Sequence, residues 1–268
     1  MSSDWPAQTI NSVDVFASFL ASFGPRKGMI YRGQADASWP LRPSLDRLVP
    51  ATSQYQARLQ EEDDLIHEFS RITPRYLGIW ERELVETYSK NNKVASMTVM
   101  QHYGAPTRLL DWTKSAAAAA YFACVDQYDD CGTVWWVVSE SLEQVLNQKW
   151  EMFGFRRSPA GIDYNDRIFH ADVGPFVGLV YLRIPFPRVR AQRGCFTIGS
   201  RLGILHDEVI PALIPREAYG RLNIPGHLKG DVIAFLERIG VDAVSLQHTG
   251  ADHRGLRMSW ERSRQLGT

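Results

Sequence analysis

Cysteine is scarce in this sequence: Cys124, Cys131 and Cys195 are the three thiols in 268 residues. An odd number without Cys-x-x-Cys spacing indicates neither a disulfide framework nor a thiolate zinc site, so reduced thiols are expected. Long apolar runs are lacking as well, and none approaches the roughly 20 residues that a membrane span needs. Met1 to Ile10 is polar, without the charged start and apolar core of a secretory signal. The expected location is therefore the cytoplasm, with no membrane partner. Net charge is also missing: 30 basic residues balance 30 acidic ones. That balance argues against a broad footprint for duplex DNA and leaves room only for a local basic patch.

Several chemical devices are absent. The sequence has no Gly-x-Gly-x-x-Gly or Walker-type loop, which excludes those two ways of holding a phosphate. It has no Gly-x-Ser-x-Gly turn, and Ser200 lacks the context of a nucleophile elbow. His248, Asp252 and His253 are metal-ligand residue types without a further well-spaced ligand, so no metal is predicted. Neither an internal repeat nor a linker divides the chain, and residues 1–268 read as a single domain.

What is present is a mixture of strands and helices. Apolar spacing predicts a helix over Val13 to Phe23, ended by Gly24-Pro25, then a short strand Met29-Ile30-Tyr31 with Arg32-Gly33 at its end. From about Gln56 to Lys90, Leu65, Ile66, Phe69 and Ile72, then Leu77, Trp80, Leu84 and Tyr88, predict two amphipathic helices interrupted at Pro74. A short helix over Ala95 to Tyr103, closed at Gly104, completes a helical excursion around 56–103. Thr107 to Trp112 reads as a strand, and Thr113 or Ser115 caps a helix over Ala116 to Val125 whose alanine run lets another backbone or a ligand come close. Gly132 to Ser139 reads as a strand buried on both faces, with Val177 to Pro185 as its counterpart. Pro215 opens a short helix, Lys229 to Ile239 forms another, and Val241 to Leu246 is expected to be a last strand. Without a regular βαβ rhythm, the fold class is α+β: a mixed or antiparallel central sheet with flanking helices.

The densest chemistry lies in Gln101-His102-Tyr103-Gly104-Ala105-Pro106-Thr107-Arg108-Leu109-Leu110-Asp111-Trp112-Thr113. Polar groups around a Gly-x-Pro break can be aimed from a rigid loop into a pocket. An arginine before a glycine at a strand end, as in Arg32-Gly33, offers a bidentate anion fork beside an approachable backbone. Each of these residues also has a structural reading. Arg32 can tie a loop to Asp36 or Asp46, and His102 can cap a helix C-terminus. Arg108 and Asp111 fall on opposite faces of a strand; buried, each needs a partner or a ligand. Tyr103, Trp39 and Trp112 can stack on a ligand ring or fill a core. His206-Asp207-Glu208, read as strand-like, places His206 and Glu208 on one side.

Three blocks, Tyr31-Arg32-Gly33-Gln34 with Ser38-Trp39-Pro40-Leu41, then the 101–113 segment, then Gln192-Arg193-Gly194-Cys195-Phe196, resemble the FRG domain family in order and content. The resemblance spans most of residues 29–199. A further likeness is to the mono-ADP-ribosyltransferase fold, in which an arginine on the first strand holds a dinucleotide pyrophosphate, a Ser/Thr-rich strand leads into a helix, and a later strand carries a catalytic glutamate. Gln192-Arg193-Gly194 stands where that glutamate is expected. These likenesses imply NAD as a substrate, with Tyr31, Arg32, Gly33, Gln34, Tyr103, Thr113 and Gln192 holding it. They imply catalytic roles for His102, Arg108 and either Asp111 or Glu208 as the carboxylate beside an oxocarbenium-like ribose. A macromolecular acceptor, protein or nucleic acid, and an antitoxin or defence-system partner are the expected associates. The alternative is a module that binds a nucleotide or phage component without turnover.

Overall fold

The computed structural model describes residues 5–23, 28–48, 54–72, 93–152, 174–181 and 186–248. Among them is a seven-stranded sheet in the order β1-β7-β4-β2-β3-β6-β5. Its strands are β1 (Ala7–Thr9), β2 (Met29–Gln34), β3 (Leu109–Thr113), β4 (Gly132–Val138), β5 (Val177–Val180), β6 (Gly194–Gly199) and β7 (Tyr219–Ile224). Only β1 and β7 pair in parallel. A mixed, mainly antiparallel sheet with helices against it is the α+β arrangement expected from the sequence.

Among the described residues the α-helices are α1 (Val13–Phe23), α2 (Leu45–Leu48), α3 (Tyr55–Ile72), α4 (Lys93–His102), α5 (Ala116–Cys124), α6 (Ser139–Met152), α7 (Pro187–Ala191), α8 (His206–Leu213) and α9 (Gly226–Arg238). Strand alternation sorts the core into three clusters. Met29 and Tyr31 of β2, Val134 of β4 and Leu222 of β7 pack under α1, α5 and α9. On the same face, beyond β3, Leu109, Phe196 and Ile198 pack under α3 and α4. The opposite face buries Trp5, Ile30, Leu110, Trp112 and Trp135 against Leu142 of α6 and Ile210 of α8.

Helix α5 is capped by Ser115, whose Oγ accepts from the Ala118 amide at 3.2 Å. Its alanines let the helix backbone lie almost on the sheet. A Cβ on Gly33 would fall 1.9 Å from the Ala119 carbonyl oxygen, and one on Gly132 would fall 2.2 Å from that of Ala123. The approach anticipated from the alanine run is therefore that of another backbone.

Other expectations fail for local reasons. Val241 to Leu246 is a run of turns, because Ser245 N donates to Asp242 Oδ1 (2.7 Å) and Asp242 N donates to Ser245 Oγ (2.9 Å). Such side-chain bonds give the backbone an alternative to a ladder. His206-Asp207-Glu208 opens α8 rather than a strand, which removes the basis for placing His206 and Glu208 on one side. β3 begins at Leu109, since Thr107 Oγ1 takes the Leu109 amide (3.2 Å) in place of a strand partner. Pro215 does open a short helix as expected, the 3₁₀ turn Arg216–Ala218. The expected helix around Leu77 to Tyr88 lies outside the described residues, as do Asp252 and His253. Among the described residues no helix is long and apolar enough to cross a membrane.

Candidate functional site

The sheet opens in its middle. β2 and β4 stay in register from Met29↔Val138 to Gln34↔Thr133, but β2 and β3 register only at Tyr31↔Thr113. Past that pair the two strands diverge, and the gap is the floor of a cleft of about 760 Å³. Arg32 alternates with Tyr31 and Gly33 along β2, so it leaves the opposite face of the strand. Its guanidinium nonetheless turns into the gap, where NH1 donates to the Asp111 backbone oxygen at 2.7 Å.

Asp111 projects from the middle of β3 with its side chain 59% exposed. Its orientation is set by a relay. Thr107 Oγ1 donates to Gln101 Oε1 (2.5 Å), which fixes the amide so that Gln101 Nε2 donates to Asp111 Oδ2 (2.8 Å). Asp111 Oδ2 also lies 4.0 Å from Arg32 NH1. Burial pushes the Arg32 guanidinium below its ordinary pKa, Asp111 opposes that shift, and the like charge of Arg47 adds to it. Arg32 Nε is buried and has no hydrogen-bond partner among the described residues.

Arginine dominates the charge of the cleft. Arg32, Arg42, Arg47 and Arg188 line it against Asp111 and Asp126. That leaves an excess of two positive charges, favourable for an anion in a partly desolvated site. His102, at the end of α4, stacks flat on Phe186 with centroids 4.2 Å apart and borders the cleft. His248 borders it from the opposite wall, edge-on to Phe122 (5.1 Å) and beside the Tyr121 hydroxyl (3.4 Å). Burial lowers its pKa, and Arg188 lowers it further. Among the described residues no group of three His, Cys, Asp or Glu side chains could hold a metal ion.

The structure brings Tyr31, Arg32, Gly33, Gln34, His102, Asp111, Thr113 and Gln192 to this one cleft. Their side chains are not equally available. The Tyr31 hydroxyl donates to the Phe23 carbonyl (2.6 Å). Gln34 accepts from Trp135 Nε1 (2.5 Å) and donates to the Pro40 oxygen (3.3 Å). Thr113 Oγ1 donates to the Gln192 oxygen (2.6 Å), and Gln192 Nε2 to the Leu246 oxygen (3.0 Å). These four build the walls, whereas Arg32 and Asp111 present charge to the space between them.

Three predicted site residues are elsewhere. Arg108 is buried and forms a two-armed ion pair with Glu62 of α3, Nε to Oε1 at 2.6 Å and NH2 to Oε2. Burial opposes its charge, but Glu62 outweighs the penalty and raises the Arg108 pKa. Its role is to dock α3, because a guanidinium held this way does not face the cleft. Tyr103 is a core residue beside Phe69, Met97 and Leu109. Glu208 is exposed in the first turn of α8 and does not border the cleft, so it cannot serve the Arg32 site. Gly33 does border it, but the room its missing Cβ leaves is filled by the Ala119 carbonyl.

Sequence reasoning overlooked Arg42, Arg47 and Arg188 as lining residues, and Gln101 as the group that aims Asp111. Arg42 and Arg47 closely follow the Ser38-Trp39-Pro40-Leu41 block, a proximity that could have drawn attention to them. Arg188, on a five-residue helix, carried no signal.

Residues 27–131 match the family model of the FRG domain. The chain carries an FRG domain. The matched span runs from the turn before β2 to the residue before β4, so the FRG domain supplies Arg32, Gln101, His102 and Asp111. Arg188, Gln192 and His248 come from outside it. No curated protein and no solved structure matches the chain.

Proposed function

We propose that the cleft between β2 and β3 binds NAD as a substrate and cleaves its bond to nicotinamide, by transfer to an acceptor or by hydrolysis. One observation carries the reading: an exposed, aimed carboxylate, Asp111, stands beside the half-buried guanidinium of Arg32 in one cleft. A volume of about 760 Å³ suits a small-molecule ligand, for which roughly 300–1,000 Å³ is usual.

Arg32 grips the pyrophosphate, with its free Nε as a further donor. His102, stacked on Phe186, borders the nicotinamide half. The C1′–N bond of the nicotinamide ribose breaks, and its electron pair leaves with the ring, which departs as neutral nicotinamide. Asp111 stabilises the oxocarbenium-like ribose by its fixed negative charge. An acceptor hydroxyl or a water adds its lone pair at C1′ and gives up its proton to Asp111 or to solvent. The divided mixed sheet, with an arginine on one side of the gap and a strand running into a small-residue helix on the other, supports an ADP-ribosyltransferase-like reading of the fold. Asp111 then stands in for the glutamate missing from Gln192-Arg193-Gly194. NAD consumption in the cytoplasm is a toxin or antiviral-defence chemistry, for which a neutralising antitoxin or defence-system partner is part of the proposal.

A second reading, nucleotide binding without turnover, is favoured by a different observation. The polar groups of Gln34, Thr113 and Gln192 are all engaged by protein, and Asp111 is partly balanced by Arg32. Nicotinamide release from NAD by the purified protein separates the two. The enzyme reading expects release that falls by about 100-fold or more in Asp111→Asn with NAD binding retained. Binding without release supports the sensor, and the absence of NAD binding to the intact protein defeats both readings for this ligand.

A further inference from the structure

The mouth of the cleft has a chemistry of its own. Trp39 is 45% exposed and makes no ring contact among the described residues. It is nevertheless held on a rigid loop: Ala37 N donates to the Cys131 oxygen (2.7 Å), Ser38 N to Asp36 Oδ1 (2.8 Å), Trp39 N to the Asp36 oxygen (3.3 Å) and Leu41 N to Asp207 Oδ1 (2.9 Å). The backbone that carries the indole is already ordered before any partner arrives, so binding has only the side chain left to order. Arg42 and Arg47 are exposed on the same rim, and neither guanidinium forms an ion pair or hydrogen bond with a described residue. Arg47 is near enough to lower the Arg32 pKa, so the rim charges adjoin the inner site rather than a remote surface.

An open aromatic platform beside unpaired guanidinium groups is the pattern that recognises single-stranded nucleic acid: every base offers a π-face, and each phosphate takes a cation. A protein acceptor would be served by an apolar patch, and around Trp39 the rim is instead Ser38, Pro40, Arg42 and Arg47. We propose that this rim, Trp39 with Arg42 and Arg47, seats a single-stranded nucleic acid, one base on the indole and the flanking phosphates on the two arginines. The inference rests on the NAD reading of the inner cleft only in naming the acceptor; binding at the rim stands or falls separately. It is also compatible with the neutral charge of the chain, because two phosphate contacts need a local patch only.

The test is fluorescence anisotropy of a labelled single-stranded 8-mer, DNA and RNA in separate arms, with NAD binding measured in parallel by calorimetry. Two phosphate contacts predict a log–log salt slope near −1.4, or about a sevenfold loss between 50 and 200 mM salt. Trp39→Ala is expected to weaken oligonucleotide binding by roughly fivefold to 150-fold, from about 1–3 kcal/mol of stacking per base. Arg42→Gln with Arg47→Gln should flatten the salt slope with an unchanged thermal midpoint, and Trp39→Ala should keep NAD binding within about threefold. Arg32→Ala should do the reverse, losing NAD but not the oligonucleotide. The proposal is overturned if neither oligonucleotide binds or if the rim variants bind as wild type. Oligonucleotide binding without NAD binding leaves the rim intact and removes the proposed inner activity.

Discussion

Two arginine–carboxylate pairs connect distant parts of this chain, and they do opposite things. Arg108 and Glu62 have side chains only 2% and 6% exposed and meet through two hydrogen bonds. Beside them, Arg58 pairs with Asp46 at 2.6 Å, and Asp46 also accepts from the Gly203 amide. Charges taken out of water this far must satisfy each other, so the network can serve only to hold α3 against the sheet. Arg32 and Asp111 are 4.0 Å apart at the wall of an open cleft, and Asp111 takes its hydrogen bond from Gln101 instead. Residue types do not distinguish the two pairs. Burial and position do: Arg108 and Glu62 are sealed from solvent away from the cleft, whereas Arg32 and Asp111 line it.

The comparison can be broken first at the buried pair. Arg108→Ala should destabilise the protein by about 3–5 kcal/mol, because Glu62 is left charged and dry; a chemical-denaturation midpoint unchanged from wild type would mean that the pair is not structural. A second measurement uses His206, which lies behind Arg32 with Nδ1 2.9 Å from Thr197 Oγ1. Burial, helped by the charge of Arg32, lowers its pKa to about 3. The folded state keeps this ring neutral while the unfolded state protonates it near its ordinary value, so the unfolded chain binds more protons between those two pH values. Its contribution is complete above about pH 6.5 and is lost as pH falls towards 3, by up to about 1.4 kcal/mol per pH unit. His206→Gln should remove that component of the acid slope in unfolding measured from pH 7 to 4.5.

Gly33→Ala comes next. The added methyl meets the Ala119 carbonyl, and overpacking of this kind costs about 1–3 kcal/mol. A lower thermal midpoint is expected; an unchanged one would return Gly33 to the role of a ligand-approach glycine. The smallest effect on stability belongs to Arg32→Ala. Loss of one hydrogen bond and a loose, solvent-facing ion pair should change stability by about 1 kcal/mol or less, while NAD binding falls by tenfold or more. If Arg32→Ala unfolds the protein as Arg108→Ala does, the distinction between the two pairs collapses.

Much of this organisation was legible in the sequence. The helix from Val13 to Phe23 and the apolar strand from Gly132 were readable because their periodicity and their Gly or Pro boundaries agree. The Ser115 cap was readable because hydroxyl side chains favour that position. The 241–246 segment misled because two turn-forming side chains, Asp242 and Ser245, outweigh scattered apolar residues. At the site, Arg32 and Asp111 were both singled out, but Arg108 was grouped with them. Its partner, Glu62, lies 46 residues earlier on a helix, and no local pattern announces that pairing.

The sequence by itself determined the fold class, the helical and strand periodicities, the FRG match over residues 27–131 and the supply of charged side chains, since these depend on spacing along the chain. Only the tertiary structure decided which charges are buried and matched and which face a ligand. That outcome depends on where β2 and β3 part company and on which helix covers each half of the sheet. Both are set by contacts between residues far apart in the chain, where local propensity has no influence.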